Sequence, residues 1–379
     1  MKDEQWLESQ FSFPLMATNM EGVYTTPPLP DDFDLKSASD ATLLRHGLLL
    51  RRPRPGDSPA SVAAWNELCE RGLRTMAPHL APLPETRRRM MSRRGPPGPR
   101  SGGPPPPGGG SGGGQVTLSN LCGGALEGTG DWQSVTGTVR LPYLRVPSQG
   151  LQANQTAAGL NAWVGLGGLG ILNSDFYLLQ ACVGFSLNTQ TTPPSTDVAV
   201  PNWLWLVPNS EYPDSAAQVF AGATIANPPL GEHSGTRIRL HCAYVAAKDG
   251  SIWGAASFLF YYDFPSCPEP AILPRRLPQP IGPAVPPTLV SVFVPGPTGF
   301  SGSAKSIDWI LENMAVTSGI ADAVVPEFTP ITFTNALGSG QSGAVAGDPI
   351  DGFTILWTNN SGASVALASQ TVSITYTGP

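Results

Sequence analysis

Beyond residue 114 the chain is patterned in short steps of apolar and polar positions. Val135–Leu141 (VTGTVRL) and Arg237–Val245 (RIRLHCAYV) alternate with the period of two expected of half-buried strands. Runs of apolar and β-branched residues recur at Phe176–Val183, Trp203–Val207, Ser257–Tyr262, Leu289–Val294, Ile331–Thr334, Phe353–Trp357 and Thr371–Tyr376. Turn-forming clusters separate them: Pro-Ser-Gln-Gly, Lys-Asp-Gly, Gly-Pro-Thr-Gly and Asn-Asn-Ser-Gly. Many short strands joined by Gly/Pro turns, with no strand–helix alternation, predict an all-β domain over residues 115–379, a two-sheet antiparallel sandwich. The Pro-rich stretch Pro265–Pro297 predicts a long surface crossover.

The pattern changes before residue 115. Ser39-Asp40 is a capping signal for a short helix through Leu44 and Arg45, with Gly47 as its stop. Ser58-Pro59 opens a better one, along which Val62, Trp65, Leu68, Cys69, Leu73 and Met76 recur at helical spacing. Residues 1–91 are too broken to hold a core of their own. They read as a mostly irregular, partly helical extension that docks on the sandwich or wraps it. Residues 92–114 (SRRGPPGPRSGGPPPPGGGSGGG) have nothing to bury and read as a flexible linker.

Composition narrows the function classes. Only 13% of residues are charged, and the net charge of −6 divides into +2 for residues 1–114 and −8 for the remainder. An acidic sandwich argues against nucleic acid as a partner. No run of about 20 apolar residues exists, so no membrane partner is expected. The opening MKDEQWLESQFSF lacks the apolar core of a signal peptide, which leaves the compartment open. Cys69, Cys122, Cys182, Cys242 and Cys267 form no CxxC pair and read as buried thiols, not as a zinc site or a disulfide framework. No metal and no cofactor is indicated. No serine elbow surrounds any serine, and His233 and His241 read as structural histidines with satisfied hydrogen bonds. The run Gly165–Gly170 has no Lys-Ser/Thr and no following helix, so it is not a phosphate loop.

A set of motifs in fixed order remains. Asn161–Gly168 (NAWVGLGG) is similar to a TAWVGIDG signature, and Tyr177–Ala181 (YLLQA) to an AxLQTG strand. Trp203–Pro208 (WLWLVP) is similar to WYEWYP, Ser306–Asn313 (SIDWILEN) to AEWIVED, and Pro330–Asn335 (PITFTN) to xVTFTN. Ser119–Leu126 (SNLCGGAL) is similar to an SNWxGAVL opening strand. Together they resemble the glutamic peptidases, or eqolisins. The resemblance implies a concanavalin A/lectin-like pair of curved antiparallel sheets with an active site in the groove of one sheet. It implies an endopeptidase that needs no cofactor, takes polypeptide substrates, works in acid and acts as a monomer.

The resemblance places the catalytic pair at Gln180 and Glu312. Glu312 is expected to take a proton from water and return it to the leaving amine. Gln180 is expected to hold that water and donate its amide N–H to the oxyanion. Asp308, Ile310 and Glu312 share one strand face by the two-residue period, with Trp309 and Leu311 on the other. Asp308, Trp163, Trp203 and Trp205 are expected to line the substrate groove. A carboxylate among tryptophan and apolar groups is expected to have a raised pKa. The chain departs from the pattern at Leu121, Asn161, Gly167, Gly184 and Trp205, positions where the family carries other side chains. Two other readings stay open: a non-catalytic sandwich that binds peptides or carbohydrates in the same groove, and a capsid-type structural protein. The second lacks a strong basic arm.

Overall fold

A computed structural model describes residues 11, 13–49, 52–55, 57–83, 115–118, 121–151, 157–168, 177–188, 195–208, 217–228, 236–262, 285–313, 324–340, 346–357 and 362–378. The extension contributes strands β1 (Met16–Ala17) and β2 (Tyr24–Thr25), helices α1 (Asp40–Arg45) and α2 (Pro59–Arg71), and strands β3 (Arg74–Thr75) and β4 (Leu80–Pro82). Both helices begin at the predicted caps. The Ser39 side chain accepts from the Thr42 N–H, and the Ser58 side chain from the Ser61 N–H. Helix α2 stops at Gly72, so Leu73 and Met76 lie beyond it and the next residues pair as strand instead. Residues 92–114 and most of Pro265–Pro297 lie outside the described residues.

The remaining elements are strands. They run β5 (Gln115–Leu118), β6 (Leu121–Arg140), β7 (Leu144–Arg145), β8 (Ala157–Gly167), β9 (Leu178–Asn188), β10 (Ser195–Pro208) and β11 (Ala217–Ile225). Then follow β12 (Arg237–Ala246), β13 (Ile252–Tyr261), β14 (Thr288–Pro295), β15 (Ala304–Asn313), β16 (Glu327–Phe328) and β17 (Ile331–Gly340). The chain closes with β18 (Ala346–Gly347), β19 (Phe353–Trp357), β20 (Gly362–Ala368) and β21 (Thr371–Gly378). Strands β7 and β16 pair separately as a small second sheet.

Two layers emerge from the pairing. In the first, β4, β11, β10, β9, β8, β15, β6, β19 and β5 are neighbours in that order. In the second the order is β14, β13, β12, β6, β17, β21 and β20. The long strand β6 belongs to both. Its first half pairs with β15 and β19, and its second half with β12 and β17. The layers face each other. Trp309 Nε1 donates to the Thr136 carbonyl at 2.8 Å, and Tyr244 Oη donates to the Leu166 carbonyl at 3.3 Å. The all-β antiparallel sandwich is the fold that the alternation predicted.

The two-residue period decides what each strand buries between the layers. Leu160, Ala162, Val164 and Leu166 of β8, Leu179, Ala181 and Val183 of β9, and Ile307, Trp309 and Leu311 of β15 join one core with Ile238, Leu240 and Cys242 of β12. The intervening residues point to the outer face of the first layer. Cys122, Cys182 and Cys242 are buried, as the thiol reading expected, whereas Cys69 is half-buried and Cys267 lies outside the described residues. Burial pushes the Cys122 thiol up to about 12.

Candidate active site on the outer face of the first layer

The predicted residues can be placed by register. Gln180 of β9 lies opposite Gly165 of β8, and Gly165 lies opposite Asp308 of β15. The row continues to Leu204 of β10 and Gly222 of β11 on one side. On the other it runs to Ala125 of β6 and Phe353 of β19. Residues opposite one another point to the same face, so Gln180 and Asp308 project side by side across a glycine. Two strand spacings separate their Cα atoms by about 10 Å. Gln180 and Asp308 are both 0% exposed. Among the described residues neither end of the Gln180 amide and neither oxygen of the Asp308 carboxyl has a hydrogen-bond partner.

Glu312 takes a different place. It pairs with Asn161 of β8, which pairs with Gly184 of β9, four residues past Gln180. Two strands and four residues put its Cα about 16 Å from that of Gln180. The register therefore joins Gln180 to Asp308 and not to Glu312, which was expected as its partner. Between the two polar rows runs an apolar one: Cys182, Trp163 and Ile310. Asn161 is fully buried, has no partner for either amide atom among the described residues, and lies directly across from Glu312.

The tryptophans divide. Trp163 is on the site's face, packed with Leu178, Cys182, Leu204 and Ile310. Its ring leans over Gly165: a Cβ there would stand 2.7 Å from the Trp163 ring and 2.9 Å from a Leu178 methyl. Trp203 and Trp205 do not line this face. Leu204, the residue between them, is the one opposite Gln180, so their side chains turn into the core between the layers. Trp205 packs there against Tyr244 and Phe300, with ring centroids at 5.9 Å and 5.6 Å. The strand's parity corrects the expectation that these two contact substrate.

Electrostatics distinguish Asp308. Burial holds its carboxyl well above the usual carboxylate range, and the charge of Glu127 adds to this. The remaining lining of the row is apolar or bare: Leu204, Gly165 and Ala125. Among the described residues the amide and the carboxyl have no other partners, and the Trp163 ring and Leu178 fill the space over the glycine between them. Leu83, just past β4, was not foreseen. It packs against Leu204 and Leu206, and its Cδ1 would be 2.7 Å from a Cβ on Gly222. Only a glycine in that position of β11 leaves room for it.

His241 is not in this site. It lies on the far face of the second layer, between Thr136 and Ser257. It is buried, but among the described residues neither ring nitrogen has a hydrogen-bond partner, which departs from the expectation of a satisfied histidine. Burial, with the nearby Arg239 charge, lowers its pKa to about 3. His233 lies outside the described residues.

Comparison with known proteins bears on the same strands. Residues 119–227 match the model of the Peptidase A4 family. The chain thus resembles the glutamic peptidases. The matched span contains Trp163, Gly165 and Gln180 but ends before Asp308 and Glu312. Solved structures similar to the chain include scytalido-glutamic peptidase with a transition state analog inhibitor, at 17% identity and a TM-score of 0.39. The alignment covers 68% of this chain and 98% of that one. A second, scytalido-glutamic peptidase with a peptide based transition state analog, has 18% identity, a TM-score of 0.39 and the same coverage. A search of curated proteins gives no match.

Proposed function

We propose that this protein is a glutamic-type endopeptidase whose working pair is Gln180 and Asp308. One observation carries the reading. An amide and a carboxyl, both fully buried and both without partners among the described residues, flank a residue that has no side chain. Burying such groups unsatisfied costs about 1–3 kcal/mol each, an expense a fold keeps at a site that binds something polar. The family match over residues 119–227 supports the same class of activity.

In this reading the Trp163 ring and Leu178, which fill the space over Gly165, move aside and admit an attacking water between Gln180 and Asp308. Asp308, ionised, takes its proton as the water adds to the peptide carbonyl. The Gln180 N–H donates to the oxyanion of the tetrahedral intermediate. Asp308 then hands the proton to the leaving amine, and the carbon–nitrogen bond breaks. No covalent enzyme intermediate forms. Trp163 and Leu178, which lean over Gly165, must give way for a peptide to enter. The raised pKa of Asp308 sets the rising limb of the pH profile. The base becomes available only above the ordinary carboxylate range, so that limb lies to the neutral side of an ordinary carboxylate's.

Cleavage of a denatured protein substrate by the wild type, Gln180→Ala, Asp308→Asn and Glu312→Gln across pH 2 to 8 tests this. Loss of cleavage of at least about a hundredfold is expected in the first two, with Glu312→Gln retained. Loss in Glu312→Gln with Asp308→Asn active would return the base to Glu312. Binding of the substrate without cleavage by any form at any pH would establish the non-catalytic reading.

A further inference from the structure

The extension has more contact with the sandwich than a removable leader requires. On the far face of the second layer, Phe11, Phe13 and Leu15 bury Trp253, Ala255 and Phe293. Phe11 meets Trp253 edge-on at 4.8 Å. Leu35, Leu43, Leu48 and Leu68 bury Leu259, Tyr261 and Leu289 in the same way. Uncovered, these side chains would form an apolar patch of the kind that drives aggregation. Polar contacts fix the position. Glu67 of α2 forms an ion pair with Arg237 of β12. The Arg237 guanidinium also stacks over the Tyr261 ring at 4.6 Å. Thr25 Oγ1 donates to the Ser291 carbonyl at 2.8 Å.

The extension also closes sheet edges in both layers. Strands β2 and β3 pair with β14 at the edge of the second layer, and β4 pairs with β11 at the edge of the first. Asn19 ties the two ends together. Its Nδ2 donates to the Leu80 carbonyl, and its Oδ1 accepts from the Leu80 N–H, both at 2.8 Å. An exposed strand edge is a template for pairing with another chain, and here the extension occupies two. Beyond β4, Leu83 reaches the candidate site. It packs on Leu204, the residue opposite Gln180, in the slot left by Gly222.

We infer that residues 11–83 are a permanent subunit of the sandwich that completes one wall of the candidate site through Leu83. A cut anywhere between residues 83 and 115 then yields a two-chain protein, not a released leader and a free enzyme. The subunit part stands on the packing alone; the role of Leu83 rests on the peptidase reading.

The test is made on the full chain, with residues 103–110 replaced by the recognition sequence of a site-specific protease. After complete cutting, the two fragments are expected to co-elute at micromolar concentration, to give a one-to-one complex by native mass spectrometry, and to separate only in denaturant. Separation in native buffer, with the C-terminal fragment keeping its circular dichroism and thermal transition, would overturn the proposal. The Leu83 wall is read on the uncut chain. Leu83→Ala is expected to shift the ratio of kcat/KM between peptides with a small and a large residue beside the scissile bond by about tenfold in favour of the large one. An unchanged ratio in an active Leu83→Ala variant removes Leu83 from the wall. A wild type that cleaves nothing sinks the peptidase reading, while co-elution still decides the subunit.

Discussion

At the scale of single residues, two buried titratable side chains pull stability in opposite directions with pH. The Asp308 carboxyl has its folded pKa raised by burial, so the fold favours its neutral form. Ionisation in the unfolded chain begins near the ordinary aspartate value, and from there upward Asp308 subtracts from stability until its folded pKa is passed. Asp308→Asn is therefore expected to melt higher than wild type at pH 7 and at a similar temperature at pH 3, measured by thermal denaturation. His241 works the other way. Its folded pKa of about 3 lies below the ordinary histidine value of 6.5. The stability that neutral His241 contributes is fully present above pH 6.5 and is lost as pH falls toward 3. His241→Gln is expected to flatten that acid limb, read as the change in melting temperature between pH 7 and pH 4. An unchanged slope would place the acid sensitivity elsewhere. The sequence showed both side chains but could not show their burial, and burial is the cause of both shifts.

At the scale of elements, the site is a matter of register. Alternation along SIDWILEN identified the two faces of β15, including the split between Asp308 and Trp309. It could not tell which residue of β15 stands in a row with which residue of β9. Strand β8 lies between them, and its pairing selects Asp308 rather than Glu312. The expectation for Trp203 and Trp205 came from the resemblance; an aromatic pair flanking a leucine reads equally well as groove or as core, and the register of β10 turns both into the core. Strands β11 (AQVFAGATI) and β20 (GASVALA) were missed; small residues give them little of the β-branched and aromatic signal. Gly165 carries an expectation at this scale. Gly165→Ala forces a Cβ into the Trp163 ring and Leu178, and overpacking of this kind costs about 1–3 kcal/mol. Urea denaturation is expected to show that loss, and peptide cleavage to fall more than stability does, because the new methyl occupies the place of the attacking water. A variant with full activity would show that nothing reacts over Gly165.

At the scale of the whole molecule, β6 makes one sandwich of two layers by running through both, and the extension seals one side of it. No helix among the described residues is long and apolar enough to cross a membrane. The sequence by itself determined the class of fold, the helix starts at Ser58 and Ser39, and the faces of the principal strands. Those follow from local rules: a period of two, a capping hydroxyl, a proline at the first turn. Tertiary structure alone decided which carboxyl shares a row with Gln180, which tryptophan shares its face, and that Leu83 packs on that face from 97 residues upstream of Gln180. Each depends on pairing between segments far apart in the chain. A slip of two residues keeps every side chain on its own face, so the pattern is the same in either register while the partners differ.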